Sequence, residues 1–365
     1  MSDFKSIVIT GGPCAGKTTG IVSIEENLSK LGYQVLIVPE TASELILNGI
    51  TPQNVGGLEF QYILFEKQLH KQMLYEKAAD IMKAKKGVII YDRGLLDNKS
   101  YMSRQDFIKM LMDFNITEIE ARNMYDAVIH LVSAANGAEK FYTLSNNLAR
   151  SETIEEARRL DIQGMNNWTG HPHLRIVSNK MNFEEKINRL LQEVYMVLGE
   201  PIPLDIQKKY LIKRPDLEIL EKFVNFEIID ILQYYLISLN PKEEIRIRQW
   251  GQDNNYMYYY SKKTSINDKQ RIETKRHITL KEFTNYLKDI DTKIPVLKKK
   301  RICFIYEYQY FEIDIFEFSS ELALLEIKFT NMSTDIRLPE FVEVIKDVTD
   351  DENYRNYNLA SSRKL

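Results

Sequence analysis

The sequence is poor in cysteine and in long apolar runs. Its 365 residues include two cysteines, Cys14 and Cys303, which excludes a disulfide framework and a cysteine-rich zinc module. No run approaches the 18 consecutive apolar residues of a membrane-spanning helix. Residues 1–6 lack the basic and apolar pattern of a secretory signal. We therefore expect a cytoplasmic protein with reduced thiols.

Neither sign of charge dominates the chain. Lys and Arg number 49 and Asp and Glu number 52, which gives a net charge of −3. This balance excludes a polybasic nucleic-acid-binding protein, so no nucleic acid partner is expected. The composition, 44% hydrophobic and 28% charged, is that of a folded protein. At about 150 residues per domain, the length predicts two domains.

The two halves carry different hydrophobic patterns. Residues 1–200 alternate short apolar strands with helices, which predicts an α/β domain with a parallel sheet and helices on both faces. The Gly/Pro cluster at residues 199–203 predicts a domain boundary. Residues 204–365 contain many segments with period-two alternation, which predicts antiparallel strands. Predicted strands of the second half lie at residues 244–248, 256–263, 271–277, 310–316 and 322–329, and a helix at 280–287.

A phosphate-binding loop follows the first predicted strand. Residues 11–18 fit the pattern G-x-x-x-x-G-K-[ST], between a strand and a helix. The loop amides are expected to bind phosphate, Lys17 to reach the β- and γ-phosphates, and Thr18 to ligate Mg²⁺. The predicted nucleotide-binding residues are Gly11, Gly12, Pro13, Cys14, Ala15, Gly16, Lys17, Thr18 and Thr19.

Charged residues follow two other predicted strands. Asp92 ends an apolar strand, as does the carboxylate that approaches Mg²⁺ in P-loop proteins, and Arg93 can address an anionic group. We predict catalytic roles for both, and metal binding by Asp92 with Thr18. Glu40 lies at the same sheet edge or caps a loop. Asp97 caps a helix or belongs to the site.

A polar segment, residues 145–161, predicts a lid over the phosphates. Arg150 is the predicted catalytic arginine of this lid, and Arg158 and Arg159 are further candidates or part of a solvated helix face. Asn179 belongs to a partial match to the guanine-reading pattern N-K-x-D, in which Asn182 replaces the aspartate. We predict that Asn179 contacts the nucleotide, and GTP and ATP both remain open.

Cations recur at alternate positions of the second-half strands, hence on one face. That face is either solvated or the interior of a closed barrel that binds phosphate groups. The predicted anion-binding residues are Lys209, Arg246, Arg248, Lys263, Arg271, Lys275, Lys299, Arg301 and Lys328. A run of four cations at residues 298–301 predicts either peripheral membrane contact or a protected sheet edge.

The second half resembles the CYTH, or triphosphate tunnel, superfamily. The resemblance rests on residues 205–212, 244–248, 261–263, 271–273, 299–301, 310–314, 324–326 and 347–349. It implies an antiparallel β-barrel. Family enzymes hold metals with paired carboxylates, whereas Gln207, Lys275 and Lys328 stand at three of those positions here. We therefore expect anion binding without two-metal hydrolysis.

The whole chain is similar to the TRPL translocation defect family. The matching residues are 11–20, 38–42, 130–142, 299–304 and 309–315. This resemblance implies a protein of membrane trafficking that binds GTP and phosphoinositide. The first half also resembles nucleoside and nucleotide kinases. Two alternatives to a trafficking regulator remain: an enzyme, either a small-molecule kinase or a triphosphate hydrolase, and a scaffold subunit that retains nucleotide.

Overall fold

The structure is a computed structural model that describes residues 4–142, 153–200, 206–240, 242–265, 271–329 and 335–365. The chain divides into two compact units, Met1–Leu198 and Gly199–Leu365. Each unit has its own hydrophobic core. The predicted lid arginine, Arg150, lies outside the described residues.

The first unit contains five strands and eight α-helices within its described residues. The strands are β1 (Phe4–Thr10), β2 (Gln34–Val38), β3 (Gly87–Asp92), β4 (Ala127–Leu131) and β5 (Leu174–Val177). The helices are α1 (Lys17–Lys30), α2 (Thr41–Leu47), α3 (Pro52–Val55), α4 (Gly57–Met82), α5 (Arg104–Asp113), α6 (Glu118–Asn123), α7 (Ile154–Asn167) and α8 (Phe183–Leu198).

The strands form one parallel sheet in the order β2-β3-β1-β4-β5, which confirms the predicted α/β fold. Ile9 of β1 pairs with Asp92 on one side and with Ile129 on the other. Apolar residues of α1 and α8, such as Ile24 and Leu190, share a core with one face of the sheet. Since parallel strands end at the same edge, the segments after β1, β2, β3 and β4 meet there.

The second unit contains nine strands and three short α-helices within its described residues. The strands are β6 (Ile206–Lys213), β7 (Phe226–Leu236), β8 (Glu243–Gln252), β9 (Asn255–Ser265), β10 (Arg271–Ile278), β11 (Leu297–Tyr306), β12 (Gln309–Phe316), β13 (Leu322–Phe329) and β14 (Val344–Asp347). The helices are α9 (Leu217–Leu220), α10 (Leu280–Tyr286) and α11 (Asn356–Ser362).

These nine strands form one antiparallel sheet in the order β10-β9-β8-β7-β11-β12-β13-β6-β14. The predicted antiparallel second domain is therefore confirmed. Within the described residues a closed barrel is not observed, because the two end strands of this order, β10 and β14, do not pair with each other.

One face of this sheet buries charged side chains. Along β11, Lys299 and Arg301 are buried, whereas Lys298 and Lys300 on the other face are exposed. The apolar residues further along, such as Ile302 and Phe304, pack in a separate core. The run of cations at residues 298–301 therefore divides between a buried charged face and solvent.

Candidate functional site

The phosphate-binding loop connects β1 to α1 in a conformation that requires glycine. Gly11 has a φ of +146°, and a Cβ at this position would lie 2.2 Å from the carbonyl oxygen of Leu131. Gly16 has a φ of +87° immediately before α1. Left-handed backbone of this kind is readily adopted only by glycine. Both glycines therefore have a physical reason for their place in the motif.

Lys17 lies beneath this loop. It is buried, and its Nζ donates to the carbonyl oxygen of Gly11 at 3.1 Å. Thr18 and Thr19 begin α1 and are exposed. The amino terminus of α1 carries unpaired amides and a partial positive charge, which favour phosphate.

Asp92 ends β3 beside the loop. Its Oδ1 is buried and has no hydrogen-bond partner among the described residues. Burial raises the pKa of Asp92, and the positive charge of Lys17 opposes the rise. An orphaned carboxylate oxygen of this kind fits a divalent cation, so Asp92 and Thr18 suit the predicted Mg²⁺. No group of three His, Cys, Asp or Glu residues that could hold a metal occurs among the described residues.

A carboxylate and a guanidinium form a close ion pair at the same edge of the sheet. Arg93 Nε lies 2.6 Å from Glu40 Oε1, and Ser43 donates to the other oxygen, Glu40 Oε2, at 2.6 Å. Burial opposes the ionisation of Glu40, but the positive charges of Arg93 and Lys17 outweigh it and lower its pKa to about 2. Glu40 is therefore a carboxylate at neutral pH.

A pocket opens beside this pair. Its lining combines side-chain amides, phenols and the charged side chains of Asp92 and Arg93, and comprises Val38, Pro39, Thr41, Gln68, Gln72, Tyr91, Asp92, Arg93, Gly94 and Tyr125. The hydroxyl of Tyr125 donates to Gln72 Oε1 at 3.2 Å. The hydroxyl of Tyr91 is buried without a partner among the described residues. The pocket therefore offers hydrogen-bonding groups to a polar molecule next to Glu40.

The structure places the remaining acidic candidate and the two lid arginines in local contacts. Asp97 is the third residue of its helical turn rather than the N-cap, which is Gly94, and its Oδ2 accepts from the Gly94 amide at 2.8 Å. Its Oδ1 accepts from Trp168 Nε1 at 3.3 Å. Arg158 donates to the carbonyl oxygen of Ala135 at 2.6 Å and pairs with Glu139. Arg159 lies on the exposed side of α7 and contacts Gln163.

Two residues that no motif indicates hold the phosphate-binding loop from behind. Asp161 of α7 accepts from the Gly12 amide at 2.9 Å and from the Ser133 amide at 3.1 Å. Lys186 of α8 donates to the carbonyl oxygen of Ala15 at 2.9 Å. Both are buried. A buried lysine on an otherwise amphipathic helix is the sequence signal that could have found Lys186.

Asn179 belongs to this support as well. Its amide nitrogen donates to the carbonyl oxygens of Ser133 at 2.6 Å and Asn136 at 2.8 Å. Its Oδ1 accepts from Lys186 Nζ at 2.8 Å. Both amide hydrogens are therefore used within the protein rather than directed towards a bound base.

In the second unit, Arg301 is the centre of a buried ion network. Its guanidinium binds Asp314 with two bonds of 2.7 Å and also contacts Glu312 and Glu326. The same carboxylates contact three lysines: Lys299 pairs with Asp314, Lys209 with Glu326 and Lys328 with Glu312. Each carboxylate is thus neutralised by two cations, so this donor set does not suit a metal.

A second part of the charged face has an excess of positive charge. Arg246 pairs with Glu273 at 2.7 Å, and Lys263 approaches the same carboxylate at 3.5 Å. Burial, together with the charge of Arg246, lowers the pKa of the adjacent Arg248 to about 10. Arg248 Nε is buried and has no hydrogen-bond partner among the described residues.

Lys275 adds to this excess. Its ammonium lies 4.2 Å from the centre of the Tyr259 ring. Burial, with the charge of Arg248, lowers the pKa of Lys275 well below its ordinary range, and Lys328 of β13 adds to the effect. The side chain of Arg271 lies outside the described part of the structure.

A family model described as an AAA domain matches residues 6–186, the segment that contains the phosphate-binding loop. The first unit is a nucleotide-binding P-loop domain. No curated protein shows a significant match to the chain. The TRPL resemblance and the trafficking role that it implies remain predictions.

Solved structures with similarity to the chain include two enzymes. The deoxyadenosine kinase from M. mycoides, with bound dATP, is 19% identical with a TM-score of 0.37, over 52% of this chain and 98% of that one. The inorganic triphosphatase NE1496 is 24% identical with a TM-score of 0.31, over 43% of this chain and 95% of that one. Within the described residues, no helix has the length and hydrophobicity needed to cross a membrane.

Proposed function

We propose that the P-loop domain is a phosphotransferase that moves the γ-phosphoryl group of ATP or GTP to a hydroxyl of a small polar molecule. The observation that carries this proposal is the Glu40–Arg93 ion pair, whose arginine lines a pocket together with Asp92. Nucleotide binding alone requires neither this pair nor the pocket. The proposal therefore favours the kinase alternative over a regulator or a scaffold.

The proposed chemistry assigns each group a role. The loop amides and Lys17 hold the triphosphate. The acceptor hydroxyl oxygen forms a bond to the γ-phosphorus while the bond to the bridging oxygen breaks. Arg93 fixes the orientation of Glu40, a carboxylate at neutral pH. Glu40 accepts the hydroxyl proton as the new bond to phosphorus forms and makes that proton strongly acidic. Mg²⁺, when bound by Thr18 and Asp92, neutralises charge on the phosphates.

Substitution of Glu40 tests the proposal. We expect Glu40→Gln to lower the rate of phosphoryl transfer about 10²- to 10⁴-fold, the usual contribution of a general base, with nucleotide affinity changed less than about threefold. Transfer is measured with γ-labelled ATP and GTP and a panel of small hydroxyl compounds, and affinity by calorimetry. Lys17→Ala should abolish nucleotide binding itself.

Glu44→Gln is the matched control, because Glu44 is a carboxylate of α2 that pairs with Lys67 and Lys71 rather than with Arg93. It should transfer phosphate at the wild-type rate. Equal rates for wild-type protein and Glu40→Gln would contradict the proposed base. Nucleotide binding without transfer to any acceptor would favour the regulator predicted from the TRPL resemblance.

We also propose that the second unit binds a phosphate-bearing anion without hydrolysing it. Arg248 supports this, because its charge is buried beside Arg246 and Lys275 without an Nε hydrogen bond. A curved, tunnel-like face would surround such a ligand, which is either a free polyphosphate or a phosphoinositide head group. The paired carboxylates around Arg301 leave no donors for a catalytic metal, so binding should persist in EDTA.

Tripolyphosphate and inositol phosphates, each titrated calorimetrically in EDTA, distinguish the two sources. Flotation with vesicles that contain phosphoinositide then tests peripheral membrane contact. If neither tripolyphosphate nor an inositol phosphate binds, the proposal is contradicted. The Lys17→Ala protein serves as background, so that the P-loop does not contribute to the signal.

A further inference from the structure

Lys186 places a second ammonium group against the phosphate-binding loop. The residue is 3% exposed. Its Nζ donates to the carbonyl oxygens of Ala15 at 2.9 Å and Val132 at 2.6 Å, and to Asn179 Oδ1 at 2.8 Å. These three bonds use all three hydrogens of the ammonium group. All three acceptors are neutral, so none of them compensates the charge.

The charge of Lys186 is poorly stabilised in the absence of a ligand. Burial lowers the pKa of Lys186 to about 8; the carboxylate of Asp161 on α7 opposes the decrease and Lys17 on α1 adds to it. A buried cation next to another cation is unfavourable unless an anion is near. Asp161 offsets part of this cost, and a bound triphosphate would supply a further anion.

The hydrogen bond to Ala15 also orients the loop. In a trans peptide the C=O and the following N–H point in opposite directions. Because Lys186 holds the Ala15 oxygen on the inner side, the amide of Gly16 is directed to the opposite side of the loop. That amide belongs to the set expected to contact phosphate.

We propose that Lys186 is a positioning residue of the phosphate site, which fixes the loop through Ala15 and adds a positive charge beneath the bound phosphates. This inference rests on the proposed binding of nucleoside triphosphate. It assigns Asn179 to the same support, as the residue that holds Lys186 in place.

The inference predicts a pH dependence with a definite sign. A bound polyanion raises the pKa of Lys186. At a pH where Lys186 is deprotonated in the free protein, nucleotide binding is therefore accompanied by uptake of a proton by Lys186. Affinity should therefore fall as the pH rises from 7 to 9, by up to about tenfold for a free-state pKa near 8. An arginine remains charged throughout this range, so Lys186→Arg should remove the dependence.

The experiment measures Mg-nucleotide affinity at pH 7, 8 and 9 for wild-type protein, Lys186→Arg and Lys186→Met. All three proteins also carry Cys14→Ser, which removes the thiol of the loop, so that wild-type here means the native Lys186 in this background. Calorimetry in two buffers with different ionisation enthalpies gives the proton uptake. Lys180→Met, a substitution at an exposed residue, is the matched control.

We expect wild-type protein to bind more weakly at pH 9 and to take up protons there. Lys186→Arg should bind without this dependence, and Lys186→Met should bind about 10-fold more weakly at pH 7. A wild-type affinity that is constant from pH 7 to 9, or a pH dependence retained by Lys186→Arg, would overturn the inference. The wild-type and arginine arms decide the question even if Lys186→Met does not fold.

The control separates the two proposals. If neither wild-type protein nor Lys180→Met binds nucleotide at pH 7, the proposed function fails. If both bind and the Lys186 variants show wild-type affinity at every pH, the role of Lys186 fails while the proposed function stands.

Discussion

Arg248 should reduce the stability of the second unit while it strengthens anion binding. The Nε of its guanidinium is buried and has no hydrogen bond among the described residues, and the charge of Arg246 is near. Replacement by methionine removes the charge and retains most of the apolar stem. We therefore expect Arg248→Met to raise the free energy of unfolding and to weaken the binding of tripolyphosphate.

The structure gives the size of the effect. A pKa of about 10 for Arg248 corresponds to about 3 kcal/mol by which the folded environment disfavours the charged form. Arg248 is partly exposed, so solvent screening reduces the figure to about 1–2 kcal/mol. Arg246 provides the opposite case on the same strand, because it pairs with Glu273 at 2.7 Å. Arg246→Met should destabilise the unit.

Urea unfolding followed by tryptophan fluorescence measures both effects. The chain has two tryptophans, Trp168 in the first unit and Trp250 in the second, so a Trp168→Phe background makes Trp250 the sole reporter. Titrations with and without tripolyphosphate give the stability of the free protein and its stabilisation by the anion. The anion should stabilise the background protein and have little effect on its Arg248→Met derivative.

Two results would refute this reasoning. A loss of more than about 1 kcal/mol in Arg248→Met would show that Arg248 is well compensated. Undiminished stabilisation by tripolyphosphate in that variant would show that the anion binds elsewhere.

Two further predictions concern the ion network around Arg301 and the phosphate-binding loop. Arg301→Met leaves three buried carboxylates without their common partner and should destabilise the second unit by about 3–5 kcal/mol in urea unfolding. The double variant Arg301→Met/Asp314→Leu should lose less stability than the sum of the losses of its two single variants. Additive losses of stability would contradict a coupled network. Gly11→Ala places a Cβ 2.2 Å from the Leu131 oxygen and should abolish nucleotide binding in calorimetry, whereas unchanged affinity would show that the loop adjusts.

The sequence predicted the strand, loop and helix around residues 11–18 well because their signal is local. Residues 11–18 form one continuous motif. Elsewhere in the first half the apolar pattern predicts a strand over residues 174–177 and a helix over residues 183–198, and β5 and α8 have these bounds. The helix pattern can mark Lys186 as unusual, but its contact with the loop could not be predicted, because its acceptor Ala15 is 171 positions away. Such a contact depends on packing that no local pattern encodes.

Two elements were missed for other reasons. Strand β7, Phe226–Leu236, is apolar at most positions, so period-two alternation does not reveal it. Helix α7 lies partly in a segment interpreted as a polar lid. Its capping box, formed by Thr153 with Glu156, is the signal that would have predicted its start.

The buried carboxylate of Asp161 has a consequence for how this chain can vary. It binds the Gly12 amide of one loop, the Ser133 amide of another and the side chain of Asn136. Surface loops usually tolerate added residues. Here, an insertion between Ser133 and Asn136 would move two partners of the carboxylate that also anchors the P-loop. The loop after β4 is therefore expected to keep its length in any descendant of this chain that retains nucleotide binding.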